Sequence, residues 1–219
     1  MRVLEVFADV WCPFTHVGLR RLIEERSRLG RADPAIRVRA WPLELINGKA
    51  LDADLVGEEI QALRVTVAPG LFAGFDAERF PSTSLPALRL AASAYRRSDR
   101  VGEQVSVALR TALFEEGRDI ADPAVLASIA GVAHLGLPDD DVEQAVVADW
   151  KEGQARGVVG SPHFFVDGRG FFCPTLAISR VGDHFRITSD ADSFAAFSRT
   201  VFEGPDDTDG RVSGGPCHR

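Results

Sequence analysis

The chain has 219 residues, of which 45% are hydrophobic and 26% are charged. This composition is that of a globular protein able to bury a sizeable core, and one domain, or one domain carrying an insertion, fits the length best. The formal net charge of -7 argues against a sequence-independent nucleic-acid binder, and no apolar run reaches the roughly 18 residues that a membrane span needs.

The first forty residues predict a β-α-β unit. A strand is expected over 3–8, a helix from Pro13 to about Leu29, and a second strand over 36–41. Pro13 suits the first helical position, where its missing N–H group does no harm. This connection favours parallel strands.

From about Asp52 to Gly157 the periodicity is helical almost throughout. The predicted helices lie near 53–67, 84–98, 100–116, 122–135 and 138–156.

Strand character returns after the helical block. The sequence predicts a strand over 162–166, a hairpin turn over 167–170, a partner strand from Phe171 and a further strand over 184–188. An amphipathic helix is expected over 192–202. The tail that follows is rich in Gly, Pro, Asp and Ser and is expected to be disordered.

The N-terminal segment does not have the features of a secretory signal, because Glu5 and Asp9 interrupt its apolar run and no small-residue cleavage site follows. We therefore expect a cytoplasmic protein. Three cysteines, Cys12, Cys173 and Cys217, without an export signal indicate free thiols rather than a disulfide framework. No zinc-ligand spacing is present, and no metal site is expected.

Three short segments stand out in order along the chain: DVWCPFTHVG at 9–18, WPLELIN at 41–47 and GVVGSPHFFV at 157–166. They resemble the Cys-Pro-x-Cys entry, the Pro-Phe-Glu-Leu-Asn stretch and the cis-proline segment of the DsbA-like family, particularly its cytoplasmic FrnE-like branch. The resemblance spans about residues 1 to 175. It implies an α/β protein with a thioredoxin fold and an all-helical insertion.

The expected organisation follows from this resemblance. A thioredoxin-like domain is expected over 1–48 plus 158–202, an inserted helical domain over 49–157, and a disordered tail over 203–219 that carries Cys217.

The sequence departs from the family at the fourth position of the first motif, where Thr15 replaces the second cysteine. Cys12 lies where a helix begins, and a helix N-terminus can lower the pKa of a thiol from about 8.5 by one to several units. The Thr15 hydroxyl lies one turn on and can hold a thiolate, but it cannot perform exchange. Cys12, Thr15 and the presumed cis-proline Pro162 are therefore the expected catalytic residues.

These features predict a thiol–disulfide oxidoreductase with a single active-site cysteine, which forms a mixed disulfide with a low-molecular-weight thiol or a protein. An external thiol or a distant cysteine must then resolve it. No permanently bound cofactor is expected, and mycothiol or glutathione is the expected co-substrate. The expected partner is thus a small thiol or a disulfide-containing protein, with no nucleic acid and no membrane, and the sequence leaves a homodimer open.

Two other functions stay open. One is a glutathione- or mycothiol-dependent transferase or isomerase of the kappa-like type, because kappa-class glutathione transferases and 2-hydroxychromene-2-carboxylate isomerases share the inserted architecture. They usually carry serine at the position of Cys12. The other is a non-enzymatic role as a thiol-holding chaperone or a scaffold for a partner.

The resemblance also implies a substrate-binding surface. A cis bond at Pro162 would face Cys12 and leave the main chain of Ser161 free to pair with an extended substrate. Pro13, Phe14 and His163 are expected to complete the substrate-binding set.

Two residues are candidate modulators of Cys12. His16, like His163, can tune the thiol or shuttle a proton near neutral pH, and a packed or solvated histidine is an equal alternative. For Cys173, a hairpin centred on Gly168 and Arg169 implies a separation from the site of roughly 10 Å, too far for a disulfide without movement. Cys173 is therefore expected to be mainly structural, with resolution of Cys12 as the lesser alternative.

Overall fold

The computed structural model describes residues 4–138, 141–181, 184–189 and 191–204. The strands are β1 Leu4–Ala8, β2 Ile36–Ala40, β3 His163–Val166, β4 Arg169–Phe172, β5 Ala177–Val181 and β6 His184–Thr188. The helices are α1 Pro13–Arg28, α2 Leu43–Asn47, α3 Ala53–Thr66, α4 Leu85–Arg97, α5 Asp99–Phe114, α6 Pro123–Val132, α7 Val142–Ala155 and α8 Ala191–Phe202, with a 3-10 turn at Ala77–Arg79.

Four strands form a mixed sheet in the order β2-β1-β3-β4. β1 and β2 are parallel, which confirms the prediction made from the β-α-β unit, while β3 is antiparallel to both β1 and β4. The helices α3 to α7 lie between β2 and β3 in the chain. β5 and β6 pair with each other in a separate antiparallel hairpin.

The side chains of the sheet alternate between two buried faces. One face, which includes Leu4, Val6 and Phe164, packs with residues of α1 and α8. The other face carries Phe7 and Phe165, which pack with Trp41. This alternation is the expected consequence of the two-residue period of a strand. Because α1 packs on the first face, Cys12 at the start of α1 lies on that side of the sheet as well.

Glycine at position 153 lets α7 approach the second face closely. A Cβ atom there would lie 2.7 Å from the ring of Trp41 and 3.0 Å from that of Phe7. Such distances are well inside van der Waals contact, so any larger residue would push the helix away from the sheet.

The edge of the sheet at β2 is covered by the helical block. Alternate N–H groups of this strand donate to side chains of three different helices, so that none of these three is left for another strand to pair with. The pairs are Ile36 with Glu103 of α5 at 2.6 Å, Val38 with Tyr95 of α4 at 2.9 Å, and Ala40 with Asp149 of α7 at 3.0 Å.

Replacing Tyr95 by phenylalanine is expected to lower the free energy of unfolding by about 1–2 kcal/mol, because it leaves the buried Val38 N–H group without an acceptor. The Tyr95 hydroxyl also donates to the carbonyl of Ile36 at 2.8 Å. Urea unfolding measures the change. Thr66→Val, which removes an exposed hydroxyl bonded to Ala62, is the control, and a loss no larger than that of the control would contradict this account of the edge.

The structure corrects the sequence-based elements in three places. The short helix α2 and the strand β5 were not predicted; β5 has no buried face at Ala177, Ile178 or Ser179, so its sequence carries no alternating pattern. The turn of the β3–β4 hairpin consists of Asp167 and Gly168 alone, and β4 already begins at Arg169.

The predicted disordered tail, with Cys217, falls outside the described residues from position 205 onward. Within the described ranges, no helix has both the length and the apolar character needed to cross a membrane.

Candidate active site

Cys12 occupies the N-cap position of α1, immediately before Pro13. The residue is 3% exposed. Its thiol donates a hydrogen bond to the carbonyl oxygen of Ser161, with 3.1 Å between sulfur and oxygen. The Ser161–Pro162 peptide bond is cis. The start of α1 and the loop before β3 therefore meet at the sulfur of Cys12.

The predicted lowering of the Cys12 pKa is wrong. Burial raises this pKa above its ordinary value, although hydrogen bonds with the side chain of Ser161 and with the side chain and main chain of Thr15 act in the opposite direction. The nearby Glu59 carboxylate raises it further. Removal of the thiolate from water thus outweighs the favourable start of the helix, and the thiol is neutral near pH 7.

Thr15 and Ser161 form a hydroxyl pair beside the sulfur. Their oxygens lie 3.1 Å apart, and the Ser161 hydroxyl oxygen also accepts the Asp9 N–H group at 3.1 Å. Thr15 is fully buried. The residue that replaces the second cysteine of the motif therefore faces the cis-proline loop and is not a surface residue.

Sequence reasoning missed Asp9, which lies in the loop between β1 and Cys12. Its buried carboxylate accepts hydrogen bonds from the N–H groups of Trp11 at 3.0 Å and Leu43 at 2.7 Å, and from the Ser84 hydroxyl at 3.1 Å. Burial raises the pKa of Asp9 to about 6 despite these donors. An acidic residue directly between a buried strand and the Cys-Pro motif was the available signal.

A buried arginine on α5 holds the same loop. The Arg110 guanidinium donates to the carbonyl oxygen of Asp9 at 3.0 Å and to both the carbonyl and the hydroxyl of Ser106. Because α5 belongs to the helical block, this side chain connects the block to the residues that lead into Cys12. No sequence motif marked it, since its contact with the loop is to a main-chain atom distant in sequence.

His16 is buried among aromatic rings of the helical block. Its Nε2 lies 2.7 Å from a carboxylate oxygen of Glu115, and its ring packs against Phe72 and Phe114. Burial lowers the pKa of His16, while Glu115 opposes the change. The packed alternative considered for His16 is the one that the structure supports, and the ring serves to anchor α1 to the block.

His163 lies on the sheet face opposite α1, so its expected position as a substrate contact needs correction. Its ring stacks on that of Phe165 with 4.8 Å between centroids, and its Nδ1 accepts the Val159 N–H group at 3.3 Å. Strand alternation explains this, because Phe164, the next residue, faces α1 and His163 must therefore face away.

Pro13 and Phe14 adjoin Cys12 but are buried. Phe14 is 8% exposed and belongs to the apolar cluster shared with the helical block. They shape the apolar surroundings of the thiol, and a substrate would meet little of either side chain.

The hairpin register expected for Cys173 is also wrong. The Cys173 N–H group donates to the carbonyl oxygen of Pro162 at 3.0 Å, so Cys173, not Leu176, lies opposite the cis-proline. The two-residue turn shifts the register relative to the one expected. Burial, and secondarily the charge of Cys12, raise the pKa of Cys173 to about 12.

Within the described part of the chain, no group of three or more His, Cys, Asp and Glu side chains is arranged to hold a metal ion. The hydrogen bonds described above bring together the Cys12 thiol, the hydroxyls of Thr15 and Ser161, the main chain of Cys173 and the buried carboxylate of Asp9.

Comparisons with known proteins agree with this architecture. No curated protein sequence matches the chain. The cytosolic disulfide reductase DsbM from Pseudomonas aeruginosa is similar in structure, with 16% identity and a TM-score of 0.57 in its form with GSH, over 77% of this chain and 88% of that one. A 2-hydroxychromene-2-carboxylate isomerase is similar too, with 15% identity and a TM-score of 0.56, over 78% of this chain and 88% of that one.

These likenesses establish the fold, and the predicted α/β thioredoxin fold with a helical insertion is confirmed. The family model for the DSBA-like thioredoxin domain matches residues 3–185, which is most of the sequence. The chain belongs to the DSBA-like thioredoxin domain family.

Proposed function

We propose that this protein is a thiol–disulfide oxidoreductase in which Cys12 is the single cysteine of the active-site motif and forms a mixed disulfide with its substrate. The observation that carries the proposal is the 3.1 Å contact between the Cys12 sulfur and the carbonyl oxygen of Ser161, directly before the cis bond to Pro162. The position of the thiol at the start of a helix, beside a main-chain carbonyl that can pair with an extended substrate, supports this proposal.

The reaction begins with loss of the thiol proton. The Ser161 carbonyl accepts the S–H group and therefore holds the neutral form, whereas hydrogen bonds from the side chain and the main chain of Thr15 favour the thiolate. The thiolate attacks one sulfur of a disulfide, forming a new S–S bond to Cys12 and releasing the other sulfur as a thiolate, which takes up a proton. A substrate N–H group that binds the Ser161 carbonyl would displace the S–H group and favour this step.

The substrate is expected to be small or extended. Cys12 is 3% exposed, so only a narrow group can bring a sulfur into line with it. Glutathione disulfide is the first probe, because the structurally similar DsbM has been solved with GSH. Mycothiol disulfide is the second.

The test is to incubate the Cys217→Ser protein with glutathione disulfide and to map the modified cysteines by mass spectrometry. Cys12 is expected to enter a disulfide, and Cys12→Ser is expected to abolish that product. Because burial raises the Cys12 pKa, the initial rate should keep rising with pH beyond the range in which a thiol of lowered pKa levels off. An unmodified Cys12 beside a modified Cys173 would contradict the proposal.

A transferase or isomerase function is the second candidate, favoured by the neutral state of Cys12 and by the two hydroxyls beside it. In that case the site would bind the sulfur of glutathione or mycothiol, and Cys12 itself would not become covalently linked. The same variant decides between the two: a Cys12→Ser protein that keeps full glutathione-dependent activity on a small electrophile would support the transferase.

A further inference from the structure

The two buried cysteines of the described chain form hydrogen bonds with consecutive residues of one loop. The Cys12 thiol donates to the carbonyl of Ser161, and the Cys173 N–H group donates to the carbonyl of Pro162. The residues of such a hydrogen-bonded antiparallel pair have Cα atoms about 5.5 Å apart. Cys173 is thus next to the loop that the Cys12 sulfur contacts.

The segment that carries Cys173 lies near α1, the helix that begins directly after Cys12. In the register of the hairpin, Phe171 lies opposite Phe164 on the face that packs with α1, and Cys173 follows the last residue of β4. The segment after Cys173 is bound to the same helix, because Arg21 of α1 donates to the carbonyl of Thr175 at 2.8 Å. Cys12 and Cys173 belong to one apolar cluster.

The backbone at Cys173 is unusual as well. Its φ angle of +43° lies in the left-handed region that residues with a side chain seldom adopt. Conformations of this kind concentrate at functional sites, where the surrounding structure imposes them.

From this arrangement we propose that Cys173 is the resolving thiol for Cys12, in place of the cysteine that Thr15 replaces. The inference rests on the proposed function. Cys173 attacks the Cys12 sulfur of the mixed disulfide, which breaks the bond to the substrate sulfur and forms a Cys12–Cys173 disulfide. The released thiolate takes the proton that Cys173 loses, and two equivalents of a low-molecular-weight thiol later reduce the disulfide.

The test compares the Cys217→Ser protein with the Cys217→Ser, Cys173→Ala double variant after one equivalent of glutathione disulfide, using acid quenching and intact mass. In the first protein, the glutathione adduct is expected to be transient and to be replaced by the Cys12–Cys173 disulfide. This product has lost two hydrogens, and its peptides that contain Cys12 and Cys173 are cross-linked. In the double variant the adduct should persist at least about 10-fold longer, since the effective concentration of a linked thiol is lost. Cys173→Ser repeats the comparison with a polar residue, and unfolding midpoints establish that both variants are folded.

The outcomes separate the two proposals. Equal adduct lifetimes in all three proteins would overturn the role of Cys173 and leave the single-cysteine oxidoreductase standing. Failure of Cys12 to enter any disulfide, in the parent and in both Cys173 variants, would overturn both.

Discussion

A Thr15→Cys substitution in the Cys173→Ala, Cys217→Ser background is expected to shorten the lifetime of the glutathione adduct on Cys12 by about 100-fold. It restores a second thiol three residues after Cys12 on the same helix, where the Thr15 hydroxyl already lies 3.1 Å from the Ser161 hydroxyl. A thiol held in place reacts at an effective concentration far above the millimolar level of free thiol. Quenched mass spectrometry at fixed glutathione concentration measures the lifetime.

Two matched variants separate this effect from the loss of the hydroxyl. Thr15→Ser keeps the hydroxyl and should leave the adduct lifetime unchanged, whereas Thr15→Val removes it and supplies no thiol. Thr15→Cys and Thr15→Val both lose the hydrogen bond to Ser161, which costs about 1 kcal/mol in the free energy of unfolding. Urea unfolding measures this cost separately from the adduct lifetime. A Thr15→Cys protein whose adduct lives as long as that of Thr15→Val would show that position 15 does not face the reacting sulfur.

Combining Thr15→Cys with an intact Cys173 adds a check on the resolving role. If Cys173 already resolves the adduct, Thr15→Cys shortens the adduct lifetime by a smaller factor when Cys173 is present than when Cys173 is replaced by alanine. This dependence of one substitution on the other measures their coupling at a shared sulfur.

The sequence was sufficient for the elements that depend on local patterns. Helix α1 begins at Pro13 as predicted, and the helices of the block lie close to the segments with helical periodicity. The order of the Cys-Pro motif and the Ser161-Pro162 segment led to the fold. Apolar periodicity and proline positions act over a few residues, and a single sequence displays them directly.

The electrostatics of the site could not be predicted in this way. A helix N-terminus suggested a lowered pKa for Cys12, but the sign depends on burial by α3 and its neighbours, which no local pattern reveals. Likewise, the partner of His16 is Glu115, 99 residues away. A small difference in the hairpin turn was enough to misplace Cys173, since register determines every cross-strand neighbour.

Between pH 4 and pH 7, Asp9 is the site residue whose removal has the largest expected effect on the pH dependence of stability. Its pKa is raised from 3.8 to about 6 by burial, so the folded protein holds a proton that the unfolded chain has already released. Stability is therefore full below the unfolded pKa and falls as the pH rises through 6. The whole titration corresponds to about 3 kcal/mol, of which about 2 kcal/mol falls between pH 4 and pH 7.

An Asp9→Asn variant lacks this titration and should gain about 2 kcal/mol relative to the wild-type protein between pH 4 and pH 7. The asparagine amide faces the donors Leu43 and Ser84 at both pH values. The free-energy cost of placing an amide beside these donors therefore cancels when the two pH values are compared. Urea unfolding of both proteins at the two pH values gives the difference.

Glu115→Gln provides the control of opposite sign. Burial raises the pKa of Glu115, but hydrogen bonds from His16 and from the N–H groups of Phe72 and Ala73 outweigh it and lower the pKa to about 2. The stability that this carboxylate contributes is lost as the pH falls, so the deficit of Glu115→Gln should be larger at pH 7 than at pH 4. If Asp9→Asn and the wild-type protein instead lost or gained stability in parallel between the two pH values, Asp9 would be ionised throughout that range, and the loop before Cys12 would hold a permanent negative charge that disfavours the thiolate.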